Sequence, residues 1–248
     1  MTGGAAERFD TTLASSPAHL DGPELLPSRL ARACALALAV DGAGLSLHVG
    51  VLRTPVGASD PETAHAERLQ FTVGDGPCLR AQDTGSTIVF SMEDIARNWP
   101  QLWGSLLEET PFRGVLSVPL PAPMGPLVVL DLYARDPRTL AALDRDDVQA
   151  VARATAEELS VSVTGSEFPD DGSNWLDGPD ARRRANVWQA MGLVGIAFRL
   201  DAADAIATMR ASAISSARVV DDVAEDILVG RLVPADLKAA PSPDDDAG

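Results

Sequence analysis

The sequence is short of aromatic residues, cysteine, histidine and basic charge, and each shortage removes a class of function. Aromatics are 4% of 248 residues, so a core must be filled by alanine, leucine and valine, which the 46% hydrophobic content supplies. Cys34 and Cys78 stand far apart in no metal-ligand spacing. That excludes a disulfide framework and a cysteine metal centre, and fits a reduced, cytoplasmic protein. His19, His48 and His65 form no recognised arrangement with a serine or cysteine, so an enzyme is not expected. No catalytic residue, metal ligand or cofactor is expected either. Basic residues number 20 against 36 acidic, a net charge of -16. A general binder of nucleic acid or anionic membranes is thereby excluded, because such binding rests on neutralising phosphates. A local basic face is still compatible with that balance. No run approaches the ~18 apolar residues of a membrane span, and the start of the chain lacks the basic and apolar regions of a signal peptide.

What is present reads as two domains between tails. Residues 1–22 are small and polar and read as a disordered tail. Residues 23–163 form the first domain and 164–179 an acidic, turn-rich linker. Residues 180–238 form the second domain. Residues 239–248, with Pro241, Pro243 and three consecutive aspartates, read as a second disordered tail.

The first domain opens on an apolar helix over 23–40, with Leu26, Leu30, Cys34 and Leu38 on one stripe. Residues 45–49 alternate as a strand should, whereas 53–66, rich in proline, glycine and threonine, read as a poor strand and loop. A short helix follows Cys78, then a strand over 87–90 and a helix over 94–109. Apolar strands follow over 114–120 and 127–133. A long helix over 144–163 buries Val148, Val151, Ala152, Thr155 and Leu159. The class is α+β, an antiparallel-rich sheet flanked by helices. The acidic groups Glu93-Asp94 and Asp144, Asp146, Asp147 sit where helices begin, where they favour the helix dipole, which outweighs a catalytic reading. Trp99 and Trp103, four apart, read as core.

The second domain is all-α, with three short amphipathic helices. Val187, Met191, Val194 and Phe198 share a face of the first. Ala205, Ile206, Met209 and Ala213 mark the second, and Val220, Val223, Ile227 and Leu228 the third. Trp188 points away from the first helix's inward face, toward an RNA base or, by preference, another subunit. A bundle this small buries too little to stand alone and leans on a partner or a second copy.

Two stretches carry family resemblances. The segment LQFTVGDGPCLRAQDTG, followed downstream by PLVVLDLY, resembles the GAF half of actinobacterial GAF–ANTAR regulators. Neither the cyclic-nucleotide signature nor the three-cysteine arrangement of some GAF relatives is present. In the second domain Gln189-Ala190-x-Gly192, Met209-Arg210-x-Ser212-Ala213 and Arg218-x-x-x-Asp222-Val223-Ala224 resemble the ANTAR family. Its members are three-helix domains that bind RNA hairpins and prevent transcription termination. Two departures stand out. Met191 replaces a common lysine, removing a phosphate contact, and Ala217 replaces the glycine or asparagine that would cap the second helix.

The resemblance implies a GAF domain that senses an unknown small molecule, joined to an antiterminator. It places the RNA face at Gln189, Ala190 and Gly192, with Arg210 and Arg218 nearby. Residues 180–238 hold eight basic and eight acidic side chains, so recognition would rest on a small face reading unstacked loop bases. The run Arg182-Arg183-Arg184 would add nonspecific attraction. An alternative is a ligand- or redox-responsive interaction regulator without RNA binding. Its redox centre would be Cys78, which follows Gly-Asp-Gly-Pro at a helix start, where the dipole lowers a thiol pKa. The other reading of Cys78 is a small buried hydrophobe.

The small second domain and the apolar surplus on the helices over 26–38 and 148–159 predict a homodimer. Light scattering at micromolar concentration should give twice the 26.0 kDa chain mass. A monomer mass there would exclude the dimer.

Overall fold

The computed structural model describes residues 4–49, 52–164 and 175–237. Most of the expected linker and the tail over 239–248 lie outside the described residues. The chain forms two compact units. The first comprises Met1–Gln70 and Asp75–Ala181, the second Phe71–Gly74 and Arg182–Gly248.

The first unit is built on five strands: β1 (Gly42–Val49), β2 (Leu52–Ala58), β3 (Ile88–Ser91), β4 (Gly114–Pro119) and β5 (Val128–Ala134). Their order is β2-β1-β5-β4-β3, and every pairing is antiparallel. Strand alternation sorts the side chains onto two different faces. Ala43 and Leu45 of β1, Leu116 and Val118 of β4, and Leu130 and Leu132 of β5 form an apolar face. Helices α1 (Ala5–Ala14), α2 (Leu26–Ala37) and α8 (Arg145–Thr164) supply the rest of that core through Phe9, Leu30, Val151 and Leu159. The alternate positions, Gly44, Ser46, His48, Ser117, Asp131 and Tyr133, meet α3 (Pro61–Val73) and α4 (Pro77–Thr84). Such a sheet, polar on one buried face, positions the site below.

Three expectations are corrected here. Of the expected disordered tail over 1–22, the described residues from 4 on are ordered: α1 packs on α2 and α8 with Phe9 fully buried. Its few apolar positions gave little periodicity, and burial rather than propensity holds it. Residues 53–66 hold the expected strand, β2, but the first turns of α3 stand where a loop was expected. Pro55 is accommodated because β2 is an edge strand, where a residue without an N–H is tolerated. The helix expected over 94–109 is two, α5 (Met92–Asn98) and α6 (Pro100–Glu109), because Pro100 can begin a helix but not continue one. Ser91 and Asp94 cap α5 reciprocally. A short helix, α7 (Pro137–Ala141), follows β5. Trp99 is core, edge-on to Phe90 at 5.1 Å, but Trp103 is 37% exposed.

The second unit holds α9 (Pro179–Phe198, from Arg182 on), α10 (Ala202–Ser215) and α11 (Val220–Leu228), together with Phe71–Gly74. Val187, Ala190, Val194, Met209, Ala213, Val223 and Ile227 meet in its core, and Phe71 is buried among them. Asp201 caps α10 by accepting the Asp204 N–H at 2.9 Å. Ala217 does not abolish the cap after α10. It adopts the left-handed conformation itself, φ +51°, and the Arg218 N–H reaches the Ala213 carbonyl at 2.9 Å. An alanine there costs about 1–2 kcal/mol that glycine would not. Among the described residues no helix is long and apolar enough to cross a membrane.

Because Phe9 is wholly enclosed, Phe9→Ala should destabilise the first unit by about 3–5 kcal/mol in urea titrations. A loss below about 1 kcal/mol would mean that α1 is dispensable.

Candidate functional site

The polar face of the sheet carries a buried charged cluster, assembled from four strands and one helix. Arg53 comes from β2, Ser46 and His48 from β1, Ser117 from β4, and Asp131 and Tyr133 from β5. Helix α3 contributes Glu67 and Gln70, three apart and so on one face. Gly44 makes room for α3, since a Cβ there would lie 2.8 Å from the Glu67 carboxylate.

Arg53 organises the cluster. Its guanidinium pairs with the Glu67 carboxylate, donates to the Glu67 carbonyl at 3.1 Å, and lies 3.7 Å from Asp131. Gln70 donates to Tyr133 Oη at 2.6 Å, and the Tyr133 hydroxyl donates to Glu67 at 2.6 Å. Gln70 also donates to Asp131 at 3.2 Å, and Ser117 donates to its other carboxyl oxygen. Ser46 and His48 share a hydrogen bond of 2.9 Å beside them. Arg53, Glu67 and Asp131 are each 3% exposed or less, so the charges interact at low dielectric.

Two carboxylates face one guanidinium, and the protonation states follow from that. Burial, and then the charge of Glu67, push Asp131 well above its ordinary value. Asp131 therefore keeps its proton past the pH at which an exposed aspartate loses it. Burial and Glu67 likewise raise Tyr133. Burial, then Arg53, push His48 down to about 3, so its ring is neutral. What the arrangement offers is a carboxyl group, Asp131, held in its protonated form by burial and by the Glu67 carboxylate on the facing helix.

Cys78 lies next to this cluster, at the start of α4, with its N–H 3.4 Å from Gln70 Oε1. The expectation that a helix N-terminus would lower its pKa is corrected. The thiol is 1% exposed, and burial pushes it well above its ordinary value despite the nearby Arg53 charge. Cys34 is core, raised to about 12 by burial, with its Sγ 3.3 Å from Thr155. Among the described residues no group of three His, Cys, Asp or Glu is placed to hold a metal ion.

The residues expected to face RNA separate in the second unit. Gln189 and Gly192 are exposed on the outer side of α9, and a Cβ on Gly192 would meet open space. Ala190 turns inward and is fully buried in the core, so it presents nothing to a ligand. Arg218 is exposed and pairs with Asp226 at 2.7 Å. Arg210 donates from Nε to the Phe71 carbonyl at 3.1 Å, and its guanidinium lies 4.7 Å from the Phe71 ring centroid. Arg184 is not part of a surface run. It is fully buried, 3.5 Å from Asp221 and 3.3 Å from the Phe71 centroid. Trp188, expected to face RNA or another subunit, is half-buried and packs edge-on against Phe71 at 5.5 Å.

The buried cluster was missed in the sequence, although β5 signalled it. Asp131 and Tyr133 alternate with leucines in a strand buried on both faces, and an aspartate there requires partners. Arg53 and Glu67 gave no such sign, since Arg53 lay in a stretch read as a poor strand and loop and Glu67 just past its end.

No protein-family model matches the sequence, and no curated protein matches it. Among solved structures the chain is similar to the GAF domain of an Acinetobacter phosphoenolpyruvate-protein phosphotransferase, at 13% identity and a TM-score of 0.41. The match covers 66% of this chain and 95% of that one.

Titration tests the cluster. A raised Asp131 makes the folded chain bind more protons than the unfolded one above about pH 4, so stability falls as pH rises toward its folded pKa. The depressed His48 acts in the other direction, removing stability as pH falls from about 6.5 toward 3. The His48 effect is common to both chains, so in urea titrations Asp131→Asn should gain on wild type as pH rises from about 4 toward the folded pKa of Asp131, by up to ~1.4 kcal/mol per pH unit. A difference that stays constant with pH would show Asp131 already ionised in the fold.

Proposed function

We propose that this chain is a non-enzymatic regulator in which the first unit, a GAF-like sensor, responds to a small molecule. The second, an ANTAR-like three-helix unit, binds RNA hairpin loops and opposes transcription termination, working as a homodimer. The observation that carries the reading is the division of the Gln189-Ala190-x-Gly192 motif: Ala190 is buried in the three-helix core, while Gln189 and Gly192 are exposed together on α9. Such a face offers an amide that can read a base edge beside a backbone that a base can approach closely. The neutral charge balance of the unit suits recognition of a folded loop better than tracking of a phosphate backbone.

A second reading, a protein-interaction regulator without RNA binding, is favoured by the engagement of both candidate arginines. Arg218 is spent on Asp226 and Arg210 on Phe71. The buried thiol of Cys78 takes redox control out of that reading.

Filter binding with a pool of RNAs carrying two hairpin loops of randomised sequence tests the first reading against the second. Gln189→Ala should weaken binding by about 1–3 kcal/mol, the worth of a side chain that reads a base. Gly192→Ala is the sharper variant. The fold has room for the methyl and should gain up to ~1 kcal/mol in helix stability, yet RNA affinity should fall. Unchanged affinity in both variants would remove α9 from the interface, and no binding by wild type would favour the second reading.

A further inference from the structure

Phe71 and Thr72 occupy a cleft of the second unit whose chemistry exceeds what a phenylalanine needs. Two guanidiniums attend one hydrocarbon ring: Arg184 at 3.3 Å from the centroid and Arg210 at 4.7 Å. Trp188 closes the ring's edge at an interplanar angle of 84°. Arg210 Nε points a donor at a carbonyl oxygen, that of Phe71, at 3.1 Å. The Val220 N–H, at the start of α11, donates to the Thr72 hydroxyl at 3.0 Å. Asp221, next along α11, holds Arg184 at 3.5 Å.

A planar ring stacked on guanidinium, an arginine N–H to an exocyclic carbonyl, and a backbone N–H to a hydroxyl are together the needs of an unpaired nucleotide. The ring would be its base, the carbonyl a base-edge oxygen, the hydroxyl a ribose 2′-OH. A buried phenylalanine needs only apolar enclosure, whereas this cleft withdraws one guanidinium, Arg184, wholly from water and a second, Arg210, in part to surround it.

We infer that this cleft is a subsite for an unpaired RNA base, occupied by the chain's own Phe71 and Thr72. The inference rests on the proposed RNA binding and adds its regulation: the segment Phe71–Gly74 competes with RNA for Arg210. The segment is shaped for that place. Gly74 has φ +84°, and a Cβ there would lie 2.7 Å from an Arg210 guanidinium nitrogen, so the chain turns away beside the arginine only as glycine. Arg210, the arginine in the best-matched stretch of the family pattern, is thereby occupied before any RNA arrives.

The test uses the full chain and the same pool of two-loop RNAs. Phe71→Ala empties the cleft, and Thr72→Val keeps the side-chain shape but removes the acceptor for the Val220 N–H. If the segment competes, both variants bind RNA more tightly, Phe71→Ala on the order of tenfold, because the binding-competent fraction rises. Adding Arg210→Ala to either should abolish the gain. Binding by wild type that neither variant changes would overturn the inference and leave the proposed function standing. Absence of binding by wild type and both variants would overturn the two together. Should Phe71→Ala melt the second unit, Thr72→Val decides alone, and an affinity equal to wild type overturns the subsite.

Discussion

Removing Arg53, Glu67 and Asp131 from water is the constraint on which the first unit is built. A guanidinium and two carboxyls in an apolar interior are tolerated only when nearly every lone pair and N–H has a partner. The neighbours answer that demand. Ser117 serves one oxygen of Asp131 and Gln70 the other, while Tyr133 serves Glu67 and is itself served by Gln70. Gly44 lets α3 close enough for Glu67 to reach the guanidinium. The apolar face of the sheet holds the strands together, whereas the polar face fixes where α3 lies.

How far the sequence announced this depends on the kind of signal. Strands β4 and β5, and helices α2, α8, α9, α10 and α11, were legible because each repeats an apolar period over enough residues to exceed noise. Helix α1 was not, since it is anchored chiefly by Phe9 and Ala5 and owes its shape to the surfaces of α2 and α8. Strand β2 was legible only as a poor strand, because the local meaning of Pro55 changes with strand position, a property of the sheet rather than of the segment. The buried cluster joins residues far apart in the chain, with Arg53 and Asp131 alone 78 positions apart, so no local window contains it.

The three-helix unit shows the same division. Its helices follow from periodicity, and the exposure of Gln189 follows from helix phase. The roles of Arg184, Trp188 and Arg210 did not follow, because all three answer to Phe71, more than a hundred residues earlier in the chain. A run of three arginines looks like a surface feature until one of them is found beneath an aromatic ring. Helix α3 carries Glu67 and Gln70 in the first unit and Phe71 and Thr72 in the second.

Pro55 has one more effect, on how copies of this sheet can meet. Strands β2 and β3 are the two ends of the sheet, and an unpaired strand edge is a template on which a foreign strand can add. The ring of Pro55 leaves β2 without one amide donor, and a bulge between Leu45 and Ser46 bends the pair beside it. At the other end β3 is only four residues long, which offers an incoming strand few rungs. The sheet is thus blunted at both margins against fibre-like growth.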